Sequence, residues 1–312
     1  MYGDDFLYDV GILFDSEGDK DAVHVGGCAV CYGGGNCREL YVGMSLFSVS
    51  DMVFYQWFIF LILSGTKTFS KRRNNMNIVF IRHGDPDYTI DSLTEKGIRE
   101  AELLRVRVNK VEDAEYFTSP LGRARRTAEI ALQDKQVTPQ VLDWMQEFYH
   151  PVDDPWTGKN RIPWDFMPAK WTTIPGLYDK DEWYKTDLMK SGAVPEKYEW
   201  VTKNFDAFLE KYGYFRQDGY YKAEPGCDKT IVIFCHLGVQ FLLVGYLTGI
   251  SPLLLWQGFF VAPTSVTIQN SEEREPGNAA FRVRCLGDTS HLYVGGEPDS
   301  DSGLFPRKSF QM

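Results

Sequence analysis

"NIVFIRHGDPDY", residues 77–88, is an apolar run that ends abruptly in a cation, an imidazole and a glycine. "NIVFI" has the unbroken apolar character of a strand covered on both faces. A core strand has no packing use for Arg82 and His83 at its tip, and Asp85, Pro86 and Asp87 end the run at once. A site for an anion uses all of these features. Gly84 lets the backbone approach a ligand closely, arginine matches oxyanion geometry with its planar fork, and histidine offers a nitrogen lone pair near neutral pH.

Outward from this stretch, strand and helix patterns alternate. "SLTEKGIREAELLRVRVNKV" (92–111) places Ile98, Ala101, Leu104 and Val108 on one helical face, with Thr94 as N-cap. "AEYFTS" (114–119) predicts a short strand, "PLGRARRTAEIALQDK" (120–135) a helix with proline in its first turn, and "PQVLDW" (139–144) another strand. A helix is expected at 196–212. "KTIVIFC" (229–235) reads as a second buried strand and "GVQFLLVGYLTG" (238–249) as a helix stopped by Gly249. "TSVTIQNSE" and "AAFRVRCLGD" alternate like a closing antiparallel pair. The expected fold is α/β, a three-layer α/β/α sandwich with a mostly parallel central sheet. Residues 148–225 interrupt it with a Pro- and Gly-punctuated insert holding Trp156, Trp164, Trp171, Trp183 and Trp200. This insert is expected to act as a lid or small subdomain, its aromatics packing it or walling the organic part of a ligand.

The first 75 residues differ from the rest. They are Gly-rich and irregular, and "MVFYQWFIFLIL" (52–63) is too short to span a bilayer. It also starts too far from the N-terminus for a secretory signal. Met76 directly precedes the first strand, so residues 1–75 are read as an extension that need not belong to the functional protein, and 76–312 as the working domain. Cys28, Cys31 and Cys37, with His24 nearby, make an incomplete zinc set, and Cys235 and Cys285 sit in strand-like runs as small hydrophobes. These thiols suit a reduced, cytoplasmic protein. A net charge of −10 over 312 residues argues against nucleic acid as a partner, because phosphate neutralisation needs a basic face. It does not exclude a small anionic substrate, which responds to local charge.

Ligands of open α/β sheets bind at the carboxyl ends of the strands. Three strand ends here carry polar groups: Arg82, His83 and Gly84 after the first, Arg123 in "TSPLGRARRTAEI" after the second, and His236 in "IVIFCHLGVQ" late in the chain. Arg125 and Arg126 read as a solvated helix face. Clustered guanidinium groups suit a phosphoryl transition state, whose charge spreads over three oxygens, and they would repel a divalent metal ion.

The chain resembles the histidine phosphatase superfamily, in its phosphoglycerate-mutase-like branch. The resemblance rests on Arg82-His83-Gly84, "LTEKGIREA", "SPLGRARRTAEI" and "VIFCHLGV", covers roughly residues 76–292, and is weak over 148–225. It implies a phosphatase acting on a small phosphorylated substrate without metal or other cofactor; the short apolar run at 52–63 separately argues against a membrane. His83 would become phosphohistidine, Arg82 and Arg123 would hold phosphate with Gly84, and His236 would complete the pocket. Glu147 in "VLDWMQEFYH" would be the general acid/base, with Asp143, Asp153 and Asp154 as competitors. Two departures stand out. Leu237 separates His236 from Gly238, and Asp85-Pro86-Asp87 replaces the small polar pair common in mutases. Mutase-type phosphotransfer and a non-catalytic phospholigand-binding module stay open as alternatives, as do the phosphoester and the oligomeric state.

Overall fold

Along the run that opens the domain, burial alternates by face. Ile78 and Phe80 point into one apolar cluster, Val79 and Ile81 into another. A strand needs an unbroken apolar run only when both faces are covered. The computed structural model describes residues 29–32, 36–39 and 75–304. The chain divides into two compact units, 1–71 and 72–312. In the first, β1 (Ala29–Tyr32) and β2 (Asn36–Glu39) form an antiparallel hairpin with Cys31 opposite Cys37. That hairpin is regular structure where the sequence reads as irregular. The apolar run 52–63, His24 and Cys28 lie outside the described residues.

In the second unit, β3 (Asn77–Arg82) is followed by the short strands β4 (Pro86–Asp87) and β5 (Ser92–Leu93) and by helix α1 (Glu95–Val108). Thr94 caps α1 as expected, its Oγ1 accepting the Gly97 N–H at 3.1 Å. Next come β6 (Ala114–Thr118), α2 (Gly122–Ala131) and β7 (Gln140–Val141). Helix α2 begins two residues after Pro120, not around it, with Leu121 as its cap. Strands β8 (Val152–Asp153) and β9 (Asn160–Arg161) and the short helices α3 (Pro168–Trp171) and α4 (Asp187–Lys190) precede the long α5 (Val194–Glu210). The chain then makes the hairpin β10 (Tyr214–Gln217) and β11 (Tyr220–Ala223), strand β12 (Thr230–Cys235), and helices α6 (Leu237–Thr248) and α7 (Pro252–Gly258). Strands β13 (Val266–Glu275) and β14 (Asn278–Asp288) and helix α8 (Ser290–Gly295) close the unit.

One eight-stranded sheet has the order β10-β11-β14-β13-β3-β12-β6-β7. Its β3-β12-β6-β7 block is parallel, and β13, β14, β11 and β10 form an antiparallel wing. Helices α1 and α2 cover one face through Leu104, Val108, Ala128 and Ala131. Helices α5, α6 and α7 cover the other through residues such as Phe205, Phe241 and Trp256.

The insert does not build a core of its own. Phe166, Trp171, Leu177, Trp183 and Tyr198 join the cluster that includes Phe80, Ile233 and Phe241. Trp183 is fully buried, 5.3 Å from Trp256 and 5.2 Å from Tyr198 between ring centroids. Cys235 is buried as expected, whereas Cys285 is only half-buried, because β14 lies in the open antiparallel wing. Trp183→Ala is therefore expected to cost about 3–5 kcal/mol, measured by denaturant unfolding. The shared core predicts one transition for 72–312; separate melting of the insert would contradict it.

Candidate active site

The register of three parallel strands sets the site. Cys235 lies opposite Arg82 in the β12–β3 pair, and Phe234 opposite Thr118 in the β12–β6 pair. The next residues continue the alignment: His83 N–H donates to Cys235 O at 2.9 Å, and Ser119 N–H to Phe234 O at 2.9 Å. Arg82-His83, Thr118-Ser119 and Cys235-His236 thus end level at one edge. His83 and His236 are both buried, their ring centroids 5.1 Å apart.

Each ring has a defined orientation. His83 Nδ1 lies 2.7 Å from the Gly84 carbonyl. A carbonyl can only accept, so Nδ1 carries the proton and Nε2 keeps its lone pair. His236 Nε2 lies 2.7 Å from Ser119 Oγ, which already accepts the Leu121 N–H at 3.2 Å. With the serine hydroxyl donating to Nε2, a neutral His236 carries its proton on Nδ1. That nitrogen is buried with no protein partner among the described residues.

Burial pushes both imidazoles well below the usual histidine range, and the positive charges of Arg82 and Arg123 add to the effect. Both rings are neutral at neutral pH. Of the other described histidines, His150 packs against Phe148 and His291 against Thr264, and burial lowers each to about 4.

Arg82 is anchored from two sides. Its guanidinium donates to Val261 O at 2.7 Å and Ser302 O at 2.8 Å and lies 5.6 Å from the Phe260 ring centre. Arg123, in the first turn of α2, pairs with Asp91 at 2.5 Å beside the Tyr88 ring. Asp91 also accepts the Gly122 N–H at 2.6 Å, so this carboxylate occupies cationic and backbone donors that suit any anion. Gly84 is required sterically: a Cβ there would lie 2.7 Å from the Gly97 carbonyl oxygen.

Glu147 lies beyond the end of β7, where it meets the start of α6. Its carboxylate accepts N–H bonds from Phe148 at 2.8 Å, Val239 at 3.1 Å and Gly238 at 3.3 Å. Burial raises its pKa, against the pull of those N–H groups and of Arg123. Gly238 fits the space left by Glu147 and Trp164, since a Cβ there would come within 2.6 Å of Oε1 and 2.7 Å of the indole. Leu237 starts α6, and the Gly238 N–H that follows it reaches Glu147. The competing carboxylates are elsewhere: Asp143 and Asp153 are exposed, and Asp154 holds Arg161 at 2.9 Å. Of the insert's tryptophans, Trp164 lies beside Gly238 and Glu147, and Trp156 packs against the core. Trp171 and Trp183 are core, and Trp200 is partly exposed on α5.

The sequence carries little signal for Asp91, Ser119, Val261 or Ser302. Asp91 has a positive φ of 47°, a conformation aspartate tolerates better than most residues, and "TIDS" offered only that weak turn signal. Ser119 precedes Pro120 in a motif where a serine reads as a turn residue. The Val261 and Ser302 contacts are carbonyls, which carry no side-chain signal.

A histidine phosphatase superfamily (branch 1) family model matches residues 78–283. The chain belongs to this superfamily. Adenosylcobalamin/alpha-ribazole phosphatase of Salmonella typhi is 23% identical over 193 residues, covering 58% of this chain and 84% of that protein. Among solved structures, mycobacterial glucosyl-3-phosphoglycerate phosphatase matches 69% of this chain and 99% of its own at 18% identity, with a TM-score of 0.46. The alpha-ribazole phosphatase of Shigella flexneri gives 18% identity and a TM-score of 0.41 over 69% and 97%. Among the described residues no helix is long and apolar enough to cross a membrane, and no group of three or more His, Cys, Asp or Glu could hold a metal ion.

The electrostatics make a direct prediction. Imidazole NMR at pH 6 should find His83 and His236 neutral, because both pKa values lie well below 6.5. Arg123→Met removes a positive charge near both, so both should titrate at higher pH than in the unaltered protein. Protonated rings at pH 6 in the unaltered protein would contradict the assigned burial.

Proposed function

We propose that the protein hydrolyses phosphomonoesters through a phosphohistidine on His83. The observation that carries this reading is the state of that ring. It is buried and neutral, with Nδ1 committed to Gly84 O and Nε2 left as a nucleophile, 5.1 Å from a second neutral imidazole. The phosphatase relative supports hydrolysis over return of the phosphoryl group to substrate. So does Asp85, whose carboxylate is bound to Thr94 at 2.8 Å and to Ser300 and is thereby withdrawn from reading an acceptor.

In the first step His83 Nε2 attacks phosphorus and the P–O bond to the leaving group breaks. Glu147, protonated, gives its proton to the departing oxygen. Arg82, Arg123 and the Nδ1–H of His236 face the charge on the phosphoryl oxygens. In the second step Glu147, now a carboxylate, takes a proton from water as the water oxygen attacks phosphorus. The P–N bond breaks, and inorganic phosphate leaves with His83 neutral again. No metal is required, because fixed guanidinium groups neutralise the charge. This reading assigns the reaction to residues 76–312 and treats 1–75 as an extension. A chain beginning at Met76 is expected to keep turnover, and loss of turnover with folding intact would sink that assignment.

Glu147→Gln is the sharper test. With an alkyl phosphate, whose leaving oxygen needs a proton, it should cost about 10²- to 10⁴-fold in kcat. With p-nitrophenyl phosphate, whose phenolate leaves unaided, the loss in the first step should be far smaller. Equal losses on both substrates in single-turnover kinetics would remove Glu147 from the acid role. The unaltered enzyme should lose activity on the alkaline side as Glu147 deprotonates, above the ordinary glutamate value, because burial raises it.

A further inference from the structure

Beneath the His83 loop lies a carboxyl group that the reaction does not use. Glu100 on α1 is fully buried. Its Oε2 accepts the Asp85 N–H at 2.8 Å. Its Oε1 has no hydrogen-bond partner among the described residues. The nearest cation is Lys96 Nζ at 3.6 Å, and that ammonium also binds Glu297 at 3.2 Å and the Pro298 carbonyl.

Two further hydrogen bonds hold the start of the same loop. Thr94 N–H donates to Asp85 O at 3.0 Å, and Gly84 N–H to Thr127 Oγ1 at 3.0 Å. A side chain at Gly97 would place its Cβ 2.2 Å from Asp85 O. Loop and helix are therefore in backbone contact, and Glu100 supplies the acceptor that the buried side of the loop needs. A buried N–H without one costs the full desolvation of that group.

We infer that Glu100 is a positioning residue for His83: its carboxyl group latches the Asp85 N–H and so fixes the loop that aims the imidazole. The inference rests on His83 being the nucleophile. It also gives the loop a dependence on pH. Burial raises Glu100 to about 7 and the Asp85 carboxylate adds to the rise, while the Asp85 N–H and Lys96 oppose it. The charged groups facing it are Asp85 on the loop, Lys96 and Arg99 on α1, and Arg82 at the end of β3, with Glu297 beyond α8 holding Lys96 and Arg99. Both protonation states keep an acceptor for Asp85, and the anion is the stronger one. Between the ordinary glutamate value of 4.5 and about 7 the folded chain holds a proton that the unfolded chain has lost. Stability contributed here is therefore greatest at low pH and falls as pH rises through that window.

Amide NMR on the 15N-labelled full chain tests this. In the unaltered protein the Asp85 amide should shift with a midpoint near 7. In Glu100→Gln that step should vanish, and the melting-temperature difference between variant and parent should move in the variant's favour from pH 5 to pH 8. Glu100→Ala should lose about 10- to 100-fold in kcat with little change in KM, as expected for a displaced reactive group. Glutamine should recover most of that loss. An Asp85 amide that titrates identically in parent and Gln variant would overturn the latch, and parental kcat in the folded Ala variant would overturn the positioning role. If no phosphomonoester is turned over, the proposed function fails, yet the Asp85 titration still decides whether Glu100 holds the loop.

Discussion

The in-register parallel pairing of β3, β12 and β6 is the constraint on which the rest of the site depends. Backbone hydrogen bonds fix which residues end level, and the residues one step beyond the pairing are His83, Ser119 and His236. A slip of one residue would reverse every side chain between the two faces. The alternating burial of Ile78, Val79, Phe80 and Ile81 between two clusters forbids that slip. Packing therefore sets where the His83, Ser119 and His236 side chains emerge.

The second constraint is electrical. Arg82 and His83 are 3% and 2% exposed and His236 is fully buried, a placement that costs free energy unless charge is balanced or suppressed. The imidazoles answer by staying neutral. The guanidinium groups answer differently: Arg82 leans on two carbonyls and an aromatic face, and Arg123 on Asp91. A carboxylate on Arg123 and the first N–H of α2 is the arrangement an arriving phosphate would compete with. Hydrogen bonds from three backbone N–H groups and the burial of Glu147 pull its proton affinity in opposite directions, and burial prevails.

Much of this was legible in the sequence, and for a physical reason. Charged tips on apolar strands are anomalous, so Arg82, His83 and His236 announce themselves, and the periods of α1, α5 and α6 follow from one-sided or complete burial. The 217–220 turn was equally readable, since Asp218-Gly219 is a two-residue hairpin signal. Its position inside the aromatic insert masks that signal. Trp183 and Trp171 mark the limit of a local reading: aromatic density identifies them as packing residues, and only three-dimensional packing reveals that they join the main core. The roles of Val261, Ser302 and the Asp85 N–H could not be read at all, because they act through backbone atoms that every residue shares.

The central claim is that one nitrogen of one ring carries the phosphoryl group. Rapid quenching into base during turnover, followed by 31P NMR and peptide mapping, measures this most directly. The account predicts phosphate on Nε2 of His83, formed and consumed fast enough to match turnover. Turnover with no such adduct, or with phosphate on Nδ1 or on another side chain, would contradict it.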